Sequence, residues 1–597
     1  MKKRQLLMGN EAIARGAVEA GIKVATAYPG TPSSEVFATL ARFARKYGYY
    51  AEWSVNEKVA LEVAAGAAYA GARAITSMKQ VGLNVAADPL MTLAYIGVKG
   101  GLVVVVADDP GPHSSQNEQD TRLFARLAKL PVFDPATPQE AKDMTKAAFD
   151  LSEKFRLPVI LRPTTRVCHV CQDVEIDEIV TLQREYVFHK SPEWVIFPNL
   201  AYEKHKHLNR LQQEIADYFS QLPFNRLELK GRVGVVAAGV SYTYVREALA
   251  DLGEEDISLL KVGTPYPLPE DPVLRLLSQV ERVLVVEEQE PVVEEQLIRI
   301  AWRHGLKVEI KGKYDGLVLR EGELNVDKVR AALAAFLGRE IPVETPPAGP
   351  PLPRRAPILC AGCPHRASFL AVKEALVDTP AVLAGDIGCY TLGYAPPLNA
   401  MDTCLCMGAS VTIASGLARV EKGVKHLAFL GDSTFFHTGL AGLVNAVYNR
   451  ADITLVVLDN RTTAMTGHQP HPGLPLTAMG EESKPINIAT VCRAIGVEVV
   501  REVNPFHFRE AIAAVKEAVN HPGPAVVIMS APCVALYKPE KLCVVTEECT
   551  GCRQCVDVLG CPALVPGEER MTIEEKCTGC GLCREVCPVG AIEEVAR

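Results

Sequence analysis

Eight cysteines near the carboxyl end of this chain are spaced to hold iron and sulfide. Cys549, Cys552 and Cys555 are followed by Cys561-Pro562, and Cys577, Cys580 and Cys583 by Cys587-Pro588. A C-x2-C-x2-C run sets three thiolates around one iron–sulfur cube, and in bacterial two-cluster proteins the Cys of the distal Cys-Pro ligates the other cube. The spacing therefore predicts one 4Fe–4S cluster on Cys549, Cys552, Cys555 and Cys587, and a second on Cys577, Cys580, Cys583 and Cys561. Five residues separate Cys555 from Cys561 where three separate Cys583 from Cys587, which lengthens a loop without removing a ligand. A pair of zinc knuckles competes with this reading, but zinc sites take four ligands and seldom add a third Cys at x2 spacing. Cysteines in this pattern move electrons.

A second group of residues offers hard oxygen ligands. Gly431-Asp432-Ser433 follows the apolar run 427–430, and Asp459-Asn460-Arg461-Thr462 follows the run 453–458. Strands of one parallel sheet deliver such turns to the same edge, where α/β proteins bind ligands. The Asp432 carboxylate, the Asn460 amide oxygen and the Thr462 carbonyl suit Mg²⁺, which prefers a few protein oxygens plus phosphates. Gly431 lets the backbone approach a diphosphate, and the next helix presents its positive end. The pattern resembles the thiamine diphosphate signature, with Ser433 standing where a second glycine is usual.

Thiamine chemistry also needs a carboxylate against the pyrimidine ring, while the cofactor itself supplies the reactive carbon. Glu57 opens an Ala-rich helical stretch and is the candidate; an ordinary helix-start Glu, complementing the dipole, is the competing reading. In Tyr28-Pro29-Gly30-Thr31-Pro32-Ser33-Ser34, Thr31 offers a hydroxyl suited to a substrate carboxylate, unless the segment is a plain Pro/Gly turn.

The elements that position these groups follow from the apolar pattern. The 597 residues are 48% hydrophobic and only 6% aromatic, so aliphatic side chains must fill several cores. Length alone predicts about four domains. A net charge of −8 gives no basic footprint for nucleic acid. Eighteen cysteines, many at metal spacing, point to a reducing cytoplasm. Neither a signal-peptide core nor a bilayer-length apolar run is visible, so no membrane is expected. Short apolar runs such as 101–107 read as buried parallel strands. They organise an α/β domain over 1–190, a helical connector over 191–230, a second α/β domain over 231–341 with strands at 233–238 and 283–287, a Pro-rich linker over 342–357, a third α/β domain over 358–540 with strands at 427–430, 453–458 and 525–529, and the cysteine-rich domain over 541–597.

This combination is similar to the 2-oxoacid:ferredoxin oxidoreductases. The likeness rests on 28–35, 56–78, 109–122, 263–269, 360–366, 386–390, 402–410, 431–439, 459–469 and the paired cluster motif, and it spans nearly the whole chain. It implies a multidomain α/β fold: a pyrimidine-binding and a diphosphate-binding domain, a transketolase C-terminal-like domain and a two-cluster ferredoxin-like domain. It also implies thiamine-dependent oxidative decarboxylation of arylpyruvates (indolepyruvate, phenylpyruvate), with CoA taking the acyl group and ferredoxin the electrons. Pyruvate, 2-oxoglutarate or a non-oxidative decarboxylation are the alternatives, and the last has no use for the tail cysteines. By the same resemblance, Thr31 contacts the substrate carboxylate, Glu57 activates the pyrimidine, and Asp432, Asn460 and Thr462 hold Mg²⁺. Gly431 and Ser433 lie against the diphosphate, Thr466-Gly467-His468-Gln469 against the diphosphate end or the substrate pocket, and Cys404 and Cys406 face the cofactor. A smaller β subunit in an α2β2 assembly is implied. Related enzymes that lack a ferredoxin tail often carry a cluster beside the thiamine, and Cys360, Cys363, Cys389 and Cys533 stand in the order to hold a third one here, unless they are separate buried cysteines and a structural C-x-x-C. Cys168 and Cys171 flank His169 as in a metal half-site, but no second pair is near in sequence, so they read as core or edge residues; Cys492 and Cys543 take no role.

Overall fold

The computed structural model describes residues 3–340, 349–350, 352 and 356–597. Most of the expected Pro-rich linker lies outside the described residues. The chain forms two compact units, Met1–Pro347 and Ala348–Arg597.

Among the described residues the first unit holds one two-stranded pair and two large sheets. One has six parallel strands in the order Tyr50–Trp53, Val24–Ala27, Ala74–Lys79, Leu102–Ala107, Val159–Leu161 and Val132–Phe133. Every residue of Leu102–Ala107 is buried, as a strand covered on both faces requires. Helices start where side chains cap them: the Asn56 Oδ1 accepts from the Val59 N–H at 2.9 Å to begin Glu57–Tyr69. The strand Cys171–Ile176 pairs antiparallel with Lys3–Met8. That leaves Cys168 buried in a short helix and Cys171 exposed on an edge.

The connector is helical over Pro198–Ser220 but ends in a strand, Arg226–Glu228. This strand forms the antiparallel edge of the second sheet, whose order is Glu309–Lys311, Arg282–Val286, Val233–Ala238, Ile257–Val262 and Arg226–Glu228. Alternate residues serve opposite faces. Val235 and Ala237 pack in one core, Val236 and Ala238 in the other.

The second unit is built on six parallel strands: Thr403–Cys404, Ala381–Gly385, Lys425–Gly431, Thr454–Asp459, Ala525–Ser530 and Val499–Val503. Leu427 and Phe429 face one core, Ala428 and Leu430 the other. The helix after Gly431 is not uniform: a π segment, Phe435–Gly439, separates Asp432–Thr434 from Leu440–Tyr448. Such segments are frequent at functional sites. The carboxyl-terminal domain has two small antiparallel pairs, Lys541–Val545 with Ile592–Ala596 and Leu564–Pro566 with Met571–Ile573. It shares a core with the helix Pro364–Ala375, whose Ala367 and Leu370 pack among Cys543, Cys555, Cys577 and Cys583. Among the described residues no helix is long and apolar enough to cross a membrane.

Candidate functional site

In the first unit, Glu57 is buried at the first position of its helix. Its carboxylate lies over Gly82, where an added Cβ would come within 2.5 Å of the Glu57 Oε1. Gly82 belongs to Gln80–Val85, directly after the strand Ala74–Lys79, so position 82 must stay bare for Glu57 to reach the sheet edge. Lys79 stands near both Glu57 and Asp109; burial lowers its pKa and the two carboxylates oppose that. Its Nζ donates to the Ser114 carbonyl at 3.1 Å, and the Ser114 hydroxyl donates to the Thr31 carbonyl at 3.1 Å. Asp109 fixes this loop by accepting from the Ser114 N–H at 2.9 Å and the Ser115 hydroxyl at 2.8 Å. The structure thus gathers Thr31, Glu57, Lys79 and Asp109 at the carboxyl ends of neighbouring strands.

In the second unit, Lys425–Gly431 and Thr454–Asp459 run side by side, with Gly431 opposite Leu458. Asp432, Ser433, Asn460 and Thr462 are all buried there. The Asp432 Oδ2 lies 3.1 Å from the His471 Nε2 but without hydrogen-bond alignment, so this buried oxygen is orphaned. Burial raises the Asp432 pKa, yet His471 beside it holds the carboxyl below its ordinary range. Asp459 moves the other way, to about 6, because it is buried and faces Asp432. The Asn460 Oδ1 accepts from the Thr462 N–H at 3.3 Å, and its amide nitrogen sits 3.4 Å from the His365 Nε2. Burial pushes His365 down to about 4, so the imidazole is neutral. A carboxylate oxygen that makes no aligned hydrogen bond, with an amide oxygen close by, offers hard oxygen ligands that fit a dication. Gly431 answers first to a neighbour: an added Cβ would lie 2.7 Å from the Tyr390 ring, whose hydroxyl pairs with Thr434 at 3.0 Å. Gly467 and His468 adopt positive φ of 117° and 64° in the loop that leads to His471.

The cysteines of this unit lie close together. Cys561, Cys577, Cys580 and Cys583 line one cavity, together with Cys363 and Cys543. Burial chiefly raises the Cys555 pKa, and Cys587 and Cys552 near it act in the same sense. Burial pushes Cys389 up to about 11, with Cys533 and Cys360 beside it acting in the same sense. Cys363 rises to about 12 for the same reason, again with Cys360 adjacent. Cys404 and Cys406 are exposed. Among the described residues no three His, Cys, Asp or Glu side chains are close enough to share a single ion.

Three residues at these sites escaped the sequence reading. His471 and His365 flank the Asp432–Asn460 pair, and the run His468-Gln469-Pro470-His471 was the available signal for the first. Cys543 lies outside both triplets, yet it lines the cysteine cavity and its N–H donates to the Cys577 Sγ at 3.3 Å.

Family models cover both units. One described as pyruvate flavodoxin/ferredoxin oxidoreductase, thiamine diP-bdg matches residues 15–211. One described as thiamine pyrophosphate enzyme, C-terminal TPP binding domain, matches 386–529, and a 4Fe-4S binding domain matches 571–593. Fold and site together define a thiamine diphosphate-dependent 2-oxoacid:ferredoxin oxidoreductase, with iron–sulfur clusters on the electron path. Residues 227–328 match the indolepyruvate ferredoxin oxidoreductase middle domain. The indolepyruvate oxidoreductase subunit IorA of Archaeoglobus fulgidus is 46% identical over 582 residues, covering 94% of this chain and 92% of that protein. Its namesake from Pyrococcus horikoshii is 44% identical over 634 residues, covering 99% and 97%. The chain belongs to the indolepyruvate oxidoreductase subunit IorA family. A solved 2-oxoglutarate:ferredoxin oxidoreductase from Magnetococcus marinus aligns with a TM-score of 0.47 at 17% identity, over 56% of this chain and 65% of that one.

Proposed function

We propose that this chain oxidatively decarboxylates arylpyruvates, indolepyruvate and phenylpyruvate, to the aryl-acetyl-CoA and CO₂, working with a smaller partner subunit in an α2β2 assembly in the cytoplasm. The substrate class is supported by the names of relatives that match along nearly the whole chain. The observation that supports the chemistry is the buried Asp432 oxygen that makes no aligned hydrogen bond, with Asn460 in the neighbouring turn, both directly after adjacent parallel strands of the unit that also gathers the thiols.

In this reading Asp432, the Asn460 amide and the Thr462 carbonyl hold Mg²⁺, and Gly431, Ser433, Gly467 and His468 surround the diphosphate. Glu57 hydrogen-bonds the pyrimidine ring and keeps a proton there, and Thr31 orients the substrate carboxylate. Thiamine diphosphate supplies the nucleophilic carbon and takes up the electrons left by CO₂. Residues 1–190 are the pyrimidine-binding domain, 231–341 the transketolase-like domain, 358–540 the diphosphate-binding domain and 541–597 the ferredoxin-like domain. Two tail clusters use the ligand sets given by spacing, and Cys360, Cys363, Cys389 and Cys533 hold a third. Each cluster takes one electron at a time, which suits an oxidation that releases two.

Anaerobic dye reduction by the chain with its small partner, Mg²⁺, thiamine diphosphate and CoA tests the proposal. Fast reduction is expected with indolepyruvate and phenylpyruvate, and E57Q should slow it by at least ~100-fold, the scale of a lost proton-transfer group. Preference for pyruvate or 2-oxoglutarate would overturn the substrate, and an unimpaired E57Q would overturn the role of Glu57.

A further inference from the structure

Arg366 is buried at the start of the helix Pro364–Ala375. It sits three residues after Cys363 and lines the cavity shared by Cys561, Cys577, Cys580 and Cys583. Its guanidinium donates to two neutral acceptors, the Leu559 carbonyl and, at 2.7 Å, the Leu359 carbonyl. Its Nε is buried without a partner. Among the described residues no carboxylate pairs with it. A cation held in this way is costly unless an anion stands nearby. The sulfurs facing it come from two groups: Cys561 and Cys580 of the tail, and Cys363 and Cys360 of the inner set. The loops that carry those two groups also meet, because the Thr578 side chain packs on Gly362, where an added Cβ would fall 1.8 Å from the Thr578 hydroxyl. The loops 360–363 and 577–580 are therefore in direct contact.

We propose that Arg366 is a positioning residue for electron flow, whose charge raises the reduction potential of the tail cluster on Cys561, Cys577, Cys580 and Cys583 at its junction with the inner thiol set. The part concerning the inner set rests on the third-cluster reading above; the part concerning the tail cluster does not. A 4Fe–4S cube with four thiolates is an anion and gains one more negative charge on reduction. A fixed cation in a water-poor site favours the reduced form. The transfer itself moves one electron: the inner cluster is oxidised, the tail cluster is reduced, and no bond or proton changes place. The 2-oxo acid supplies the electrons, so no further reductant is needed.

The test is EPR-monitored redox titration of the full-length protein, prepared anaerobically, with iron analysis of each variant. R366Q removes the charge and keeps amide donors, and R366K keeps the charge. At a fixed potential, R366Q is expected to lower the reduced-to-oxidised ratio of one tail cluster about tenfold, which is ~59 mV for a one-electron couple. R366K should stay within about threefold of the native ratio, because the charge that acts on the cluster is retained. An R366Q protein with full iron and native potentials would overturn the proposal. Should R366Q lose tail iron, R366K decides. Iron retained there supports the charge, whereas equal loss from R366K overturns it in favour of a purely structural contact. Iron for two clusters rather than three in the native chain would sink the third-cluster reading alone and leave the tail measurement intact.

Discussion

The two units bury arginine in opposite ways. In the first, Arg122 meets Asp120 and Glu287, both at 2.6 Å, and Arg162 meets Asp108 at 2.7 Å and Asp134 at 3.1 Å. Asp108 follows the strand Leu102–Ala107 and Glu287 follows Arg282–Val286, so this network ties the strand ends of two sheets together. Its charges are closed within the protein. In the second unit Arg366 finds carbonyls and sulfurs, and its charge is left for the chemistry to use. Closed networks read as architecture, while an open buried charge points to a function.

The closed network should break expensively. R122M leaves Asp120 and Glu287 buried and uncompensated, and removing one partner of such a pair costs about 3–5 kcal/mol. Denaturant unfolding of the first unit, followed by hydrogen exchange on its strands, measures this; a cost below about 1 kcal/mol would erase the contrast with Arg366. Glu288 sharpens it further. Burial pushes this carboxyl up to about 7 from an ordinary 4.5, although the Leu324 N–H it accepts acts against the shift. Between those values the folded chain holds a proton that the unfolded chain has lost. Stability therefore falls as pH rises through that window, by at most ~1.4 kcal/mol per pH unit. E288Q keeps an acceptor for Leu324 and removes the ionisation. Relative to the native chain it should gain at most about 3 kcal/mol on going from the acid to the alkaline side of the window. A parallel pH dependence in both proteins would show that the network is not a net burden of charge.

The same contrast marks what could be read along the chain. Iron–sulfur ligands sit at spacings set by the cube itself, so the tail was legible from local sequence as an iron–sulfur domain, and a 4Fe-4S binding domain matches 571–593. Asp432 and Asn460 were legible because parallel strands deliver their following turns to one edge, and the strands lie within one or two residues of the expected bounds. Arg366 was not, since its acceptor at Leu559 lies 193 positions away and no short-range pattern joins them. Cys543 stayed hidden because it approaches Cys577 across a hairpin domain rather than within a triplet. Arg226–Glu228 is short and polar, and only the neighbouring strand makes it a strand. The resting place of Gly431 against Tyr390 was equally invisible, because a glycine signals close approach without naming what approaches.

Thr578 offers the finest division between charge and dipole. Its hydroxyl is buried, lines the cysteine cavity and has no hydrogen-bond partner of its own. A hydroxyl there can donate to cluster sulfur, and such bonds raise potentials by less than a full charge does. T578V keeps the shape and removes a buried hydroxyl that has no partner, so the stability of the second unit should stay unchanged or rise. The tail cluster's reduced-to-oxidised ratio should then fall by about threefold, less than the tenfold expected of R366Q. If T578V and R366Q shifted the ratio equally, solvent access to the cavity would be the common cause, and Arg366 would lose its special standing as a charge.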